Sequence, residues 1–203
     1  MVVDVTKVER LFKRYFRYSG VITHIDPESG KVDVDGFVSL NKKVQKLPVK
    51  FENITGSFDC GHSALTTLAG SPSHVQGNFT CMSNQLTSLA HAPEYVGGDF
   101  GCGNNQLTNL VGAPEHVYGH FYCGYNPLTS LQGLPQTVVG ELSVNWSPQL
   151  PMMRLLNYPK LWIRDEPDPV KQIRIKYMHK GQAGVIKCAA EMIRAGYKEN
   201  ARW

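Results

Sequence analysis

The sequence predicts an α/β repeat solenoid: one parallel β-sheet of about six short strands, preceded by a helix and hairpin and followed by a small helical segment. Three observations carry that prediction. Phe58, Phe79, Phe100 and Phe121 recur with a step of 21 residues, and Cys60, Cys81, Cys102 and Cys123 keep the same step, as do Leu65, Leu86, Leu107 and Leu128 and then Pro72, Pro93, Pro114 and Pro135. Glycines recur at Gly36, Gly56, Gly77, Gly98, Gly119 and Gly140, two places ahead of the Phe column and four ahead of the Cys column. Side chains alternate across a strand, so those two columns face one way, into a core that each turn builds against the next.

The elements follow in order. Residues 4–17 read as a helix capped by Asp4, with Val5, Val8, Leu11, Phe12, Tyr15 and Phe16 as its apolar stripe. Val21 to Ile25 and Lys31 to Val34 flank the turn Asp26-Pro27-Glu28-Ser29-Gly30 and read as a hairpin. The region 36–150 holds the repeats, the copies from Val38 to Ile54 and from Leu142 to Leu150 being irregular as terminal copies should be. The stretch Phe79-Thr80-Cys81-Met82-Ser83-Asn84-Gln85-Leu86 fits L-x-L-x-x-N-x-L with Phe and Cys in place of two leucines, the leucine-rich-repeat pattern. After Pro148, Pro151 and Pro159, the tail reads as two short helices. One opens at Asp168-Pro169 and the other carries Val185, Cys188, Ala189, Met192 and Ile193 and stops at Gly196. Three regions result: 1–35, 36–150 and 151–203.

At 203 residues, with 42% hydrophobic and 19% charged residues, the chain has the composition of an ordinary soluble domain with a real core. It has no apolar run of membrane-spanning length and no signal-peptide stretch in residues 1–16, so the expected location is a cytoplasm. The net charge of +4 divides as +3 over 1–46, −5 over 47–150 and +6 over 151–203, leaving mildly acidic repeats between basic flanks.

Regularly spaced cysteines suggest a metal, but geometry opposes it. Strands lie about 4.8 Å apart, so four stacked thiols spread over roughly 14 Å, whereas zinc needs every sulfur at about 2.3 Å. The cysteines are expected to be buried, reduced packing groups, Cys188 among them. Asn84, Asn105 and Asn126, with Ser63 and Ser147 at equivalent places, are expected to bond neighbouring backbone. The seven histidines share no metal-ligand spacing, and no triad, phosphate loop or carboxylate pair stands out. Neither an enzyme nor a cofactor or metal is expected.

Binding is expected where the repeat varies. The outward columns are Ser57, Asn78, Asp99, His120, Glu141; Asp59, Thr80, Gly101, Tyr122, Ser143; and Gly61, Met82, Gly103, Gly124, Asn145. They assign a concave partner surface of Asn78, Thr80, Met82, Asp99, His120, Tyr122 and Glu141, with Met82, His120 and Tyr122 as anchors. The first helix, basic opposite its stripe, is read as covering the first repeat rather than lying on a membrane. In the tail, Lys171, Arg174, Lys176, Lys180, Lys187 and Arg194 form a candidate basic patch for nucleic acid, the alternative partner.

The wording Leu107-Thr108-Asn109-Leu110-Val111-Gly112-Ala113-Pro114 and Val96-Gly97-Gly98-Asp99-Phe100-Gly101-Cys102 resembles leucine-rich-repeat proteins encoded by tailed bacteriophages, as do residues 32–40 and the ending 195–203. The resemblance spans nearly the whole chain and implies a virus-encoded protein in a bacterial host cytoplasm. Its partner would be a host or phage protein, or the chain would be a virion or self-assembly component, with the oligomeric state left open.

Overall fold

The computed structural model describes residues 3–202; positions 1, 2 and 203 of the predicted first and last regions lie outside the described residues. The chain runs through α1 (Val5–Tyr15), β1 (Phe16–Ile25), β2 (Lys31–Leu40) and β3 (Lys50–Ile54). Short strands then alternate: β4 (Phe58–Asp59), β5 (His74–Val75), β6 (Phe79–Thr80), β7 (Tyr95–Val96), β8 (Phe100–Gly101), β9 (His116–Val117), β10 (Phe121–Tyr122) and β11 (Thr137–Val138). β12 (Leu142–Asn145), a 3-10 helix (Met153–Asn157), β13 (Leu161–Arg164), α2 (Asp168–Tyr177) and α3 (Gly181–Arg194) complete it, ahead of a last 3-10 turn (Glu199–Ala201).

The molecule is a parallel β-solenoid, and it departs from the expected single row of strands. Each turn supplies two short strands set either side of a glycine. The ladder order β11-β9-β7-β5-β3-β2-β4-β6-β8-β10-β12-β13 is two rows joined through β2. The first half of β2 pairs with β3 and leads into β5, β7, β9 and β11. Its second half pairs with β4 and leads into β6, β8, β10, β12 and β13. We call these the second and first rows. The second row stands on a further buried column, Ile54, Val75, Val96, Val117 and Val138. β1 pairs antiparallel along β2 from Phe16↔Leu40 to Ile25↔Val32, so both hairpin strands are longer than expected and the helix stops at Tyr15.

The bend between rows is the glycine column. Gly56 N–H donates to Gly36 O, Gly77 to Gly56, Gly98 to Gly77, Gly119 to Gly98 and Gly140 to Gly119, at 2.8–3.1 Å. A Cβ on Gly140 would stand 2.7 Å from Gly119 backbone, so close approach demands glycine here. At the first bend Gly36 (φ 130°) faces Gly20 (φ 118°) across the hairpin.

Between the rows and the loops lies one continuous core. Phe58, Phe79, Phe100 and Phe121 stack face to face at 5.4–5.8 Å between centroids, and Phe51, Phe12 and Phe16 extend the pile to α1. All five cysteines are free and buried. Burial pushes Cys123 up to about 12 and Cys188 up to about 11, and it raises Cys60, Cys81 and Cys102 as well, so these thiols stay protonated and poor nucleophiles.

The asparagine column closes the loops. Asn105 is buried; its Oδ1 accepts from Leu86 N–H at 3.0 Å while Nδ2 donates to Cys81 O and Cys102 O, both at 3.0 Å. Asn84 and Asn126 repeat the arrangement one turn either side. Ser63 serves Val44 in the same way. At Ser147 a distant residue takes over: buried Asn200 donates to Ser147 O and Leu150 O, tying the end of the chain to the last turn.

The tail adds a strand that the proline-rich reading of 148–159 does not anticipate. β13 pairs with β12 in the register Leu142↔Leu161, a step of 19 rather than 21, which takes it off the period. The helices form where expected, and Gly196 (φ 89°) ends the second in the left-handed conformation.

Candidate functional site

The outward face of the first row is where the predicted partner residues collect. One column reads Asp59, Thr80, Gly101, Tyr122, Ser143 and, by the register of β13, Trp162. Trp162 is 55% exposed and is a residue that sequence reasoning missed, because the shortened last turn hides its column. Tyr122 and Trp162 stand two rungs apart, roughly 10 Å, with only Ser143 between them.

Around this pair the floor is low. Gly101 and Gly103 are buried beneath Met82, whose Sδ and Cε would lie 3.1 and 3.2 Å from a Cβ at each. Met82 therefore fills a hollow that the glycines leave, while Thr80 flanks it half-buried. Tyr125, in the left-handed region at φ 56°, receives the Arg164 guanidinium over its ring at 5.2 Å, and its N–H donates to Asn145 Oδ1.

The column of Asn78, Asp99, His120 and Glu141 has a structural task as well as an outward place. Ser57 Oγ accepts from Asn78 N–H, Asn78 Oδ1 from Asp99 N–H, Asp99 Oδ1 from His120 N–H, and His120 Nδ1 from Glu141 N–H, at 2.7–3.0 Å. This side-chain ladder runs beside the glycine column and satisfies backbone donors that the bend removes from the sheet. His120 also stacks on Tyr122 at 5.5 Å and 17°. Burial first, and then the carboxylates of Asp99 and Glu141, raise the Tyr122 hydroxyl above its ordinary value, so it remains a neutral donor. Around Tyr122 the face carries aromatic rings and the carboxylates of Asp99 and Glu141, with Arg164 at its β13 edge.

The basic patch is partly dismantled. Arg174 is a buried residue, not a surface cation: its guanidinium makes two bonds of 2.8 and 2.7 Å to Glu166, whose side chain is 2% exposed. Lys176 pairs with Glu191 at 2.7 Å. Lys171, Lys180, Lys187 and Arg194 are exposed and spread over α2, α3 and the turn between them. The reason lies in tertiary pairing: a guanidinium sharing a carboxylate has little left for phosphate.

Among the described residues no group of His, Cys, Asp and Glu could hold a metal ion, and no helix is long and apolar enough to cross a membrane. Comparison with protein-family models, curated proteins and solved structures finds no match to this chain.

Proposed function

We propose that this chain is a non-catalytic binding module of leucine-rich-repeat type, encoded by a bacteriophage and acting in the host cytoplasm, that captures a host or phage protein on the outward face of the first row. The observation that carries this reading is the half-buried Tyr122 and the exposed Trp162 on one parallel ladder, separated by Ser143 and bordered by Asp99 and Glu141. Two aromatic anchors fixed on a sheet supply large contact area at little entropic cost. The carboxylates favour a partner surface rich in lysine and arginine, and cation–π contact with either ring adds to that preference. Steric occlusion of the captured protein is the mechanism. The buried, protonated thiols support a role without covalent chemistry.

The test uses the tagged protein as bait in bacterial lysate, with the strongest captured protein then purified and titrated. The double variant Tyr122→Ala, Trp162→Ala is expected to bind it about 100-fold more weakly, since each anchor contributes on the order of 1–2 kcal/mol. Equal affinity of the double variant and the native protein would remove the outward face from the account.

A further inference from the structure

The second row ends one rung early, and the place of the absent rung is open. In each complete turn the second-row strand lies four residues ahead of the first-row Phe position, as Val117 does to Phe121. Counting back from Leu161 of β13, the matching residue is Asn157. Residues Met153–Asn157 wind into a 3-10 helix instead, and the next glycine-column position is Pro159. Proline has no N–H to donate to Gly140 O, so the glycine ladder stops.

What remains is a cleft of about 570 Å3 between β11 and the 3-10 helix, lined by Gln136, Val138, Val139, Arg154, Asn157 and Tyr158 among others. That size is within the ordinary range of ligand sites, roughly 300–1,000 Å3. The ladder alternation identifies what faces it. Gln136 and Thr137 N–H donate to Glu115 O, and Val139 N–H to Val117 O, all toward β9. The N–H and C=O of Val138 and the C=O of Gln136 therefore point the other way, into the cleft, as the edge of β11. Tyr158, held protonated by burial that pushes it up to about 12, donates to Pro135 O and forms the floor. Arg154 spends one N–H on Leu131 O, and no carboxylate pairs with it among the described residues.

We propose that this cleft is a strand-docking slot: it takes an extended peptide from another polypeptide as the missing rung, parallel to β11, with an acidic side chain meeting Arg154. The chain's own rungs define the fitting pattern. Residues 92–98 place Glu94, Tyr95, Gly97 and Gly98 N–H on Ser73 O, Val75 O and Gly77 O of the preceding turn. A peptide of that sequence presents the same donors to Gln136 O and Val138 O, up to the point where Pro159 takes the glycine-column place. Its glutamate falls in the column next to Gln136, whose counterpart in the last turn is Leu155, beside Arg154. Backbone bonds give such an addition its affinity and the side-chain pocket its selectivity. The slot is separate from the outward face of the first row.

The probe is a fluorescein-labelled, C-amidated heptapeptide copying residues 92–98, titrated into the full chain by anisotropy. Saturable binding is expected, weakened at least tenfold when the two amides facing Gln136 and Val138 are N-methylated. Replacing the peptide's glutamate by lysine should weaken binding to the native protein at least tenfold and strengthen it to Arg154→Glu. Asn157→Trp, which fills the cleft from an exposed position, should abolish binding with an unchanged far-ultraviolet spectrum. No saturation at millimolar peptide, equal binding of the N-methylated peptide, or full binding by folded Asn157→Trp overturns the proposal.

Discussion

Gly36→Ala is expected to lower stability by about 4 kcal/mol, one of the largest single effects available in this chain. Two independent costs meet at that position. Its φ of 130° is backbone that an L side chain rarely adopts, and an added Cβ would stand 1.8 Å from the Ser19 carbonyl oxygen. The obstacle is backbone across a paired strand, which cannot rotate aside as a side chain would. The bend at Gly36 also carries β2 from one row into the other, so displacement there disturbs both ladders. Thermal unfolding should show a fall in midpoint of roughly 8–16 °C for a chain of this size. Gly196→Ala provides the comparison: its φ is 89° but an added Cβ meets nothing within 4 Å. It should cost only about 1 kcal/mol. Equal losses in the two variants would mean that crowding at the bend contributes nothing.

Asn105→Ala is expected to cost about 3–5 kcal/mol. The amide is the sole side-chain partner of Leu86 N–H and bridges Cys81 O and Cys102 O. Its removal strands three backbone groups beneath a residue only 8% exposed. Each stranded group costs on the order of 1–3 kcal/mol, with some relief from entering water. Asn105→Asp should be nearly as harmful, because a carboxylate still accepts from Leu86 N–H but cannot donate to either carbonyl. The neighbouring exposed Gln106→Ala should stay within about 0.5 kcal/mol. Chemical denaturation of the three variants separates these outcomes; an Asp variant as stable as the native protein would show that the two donated bonds do not matter.

Much of the scaffold was legible because its columns obey one period. Phe, Cys, Leu and Asn recur where a turn needs stacking, filling and backbone satisfaction, and the structure uses them so. The second row was harder to see. Its strands beyond β3 are two residues long, too short to display alternation, and its valine column reads as loop when each copy is taken alone. The column from Ser57 to His120 looked variable and so looked like a recognition surface. What it repeats is a function, since Ser, Asn, Asp and His here all present an acceptor one bond beyond Cβ or Cγ. Arg174 read as a surface cation because the carboxylate that takes it, Glu166, lies outside its helix and eight residues away. Trp162 escaped notice because the last turn is two residues short.

One of the three outward columns therefore divides its work between holding the bend and facing solvent, and recognition rests more heavily on the column of Tyr122 and Trp162. That division depends on each turn forming two ladders about a glycine hinge. Native-state amide hydrogen exchange tests it directly. Strong protection is expected at Phe79, Cys81, Phe100 and Cys102 N–H in the first row, at Gln76, Gly97 and Val139 N–H in the second, and at Gly77, Gly98 and Gly119 N–H along the hinge. Val138 N–H, on the open edge, should exchange quickly. Protection confined to the first-row amides, with the second row and hinge exchanging at unprotected rates, would contradict it.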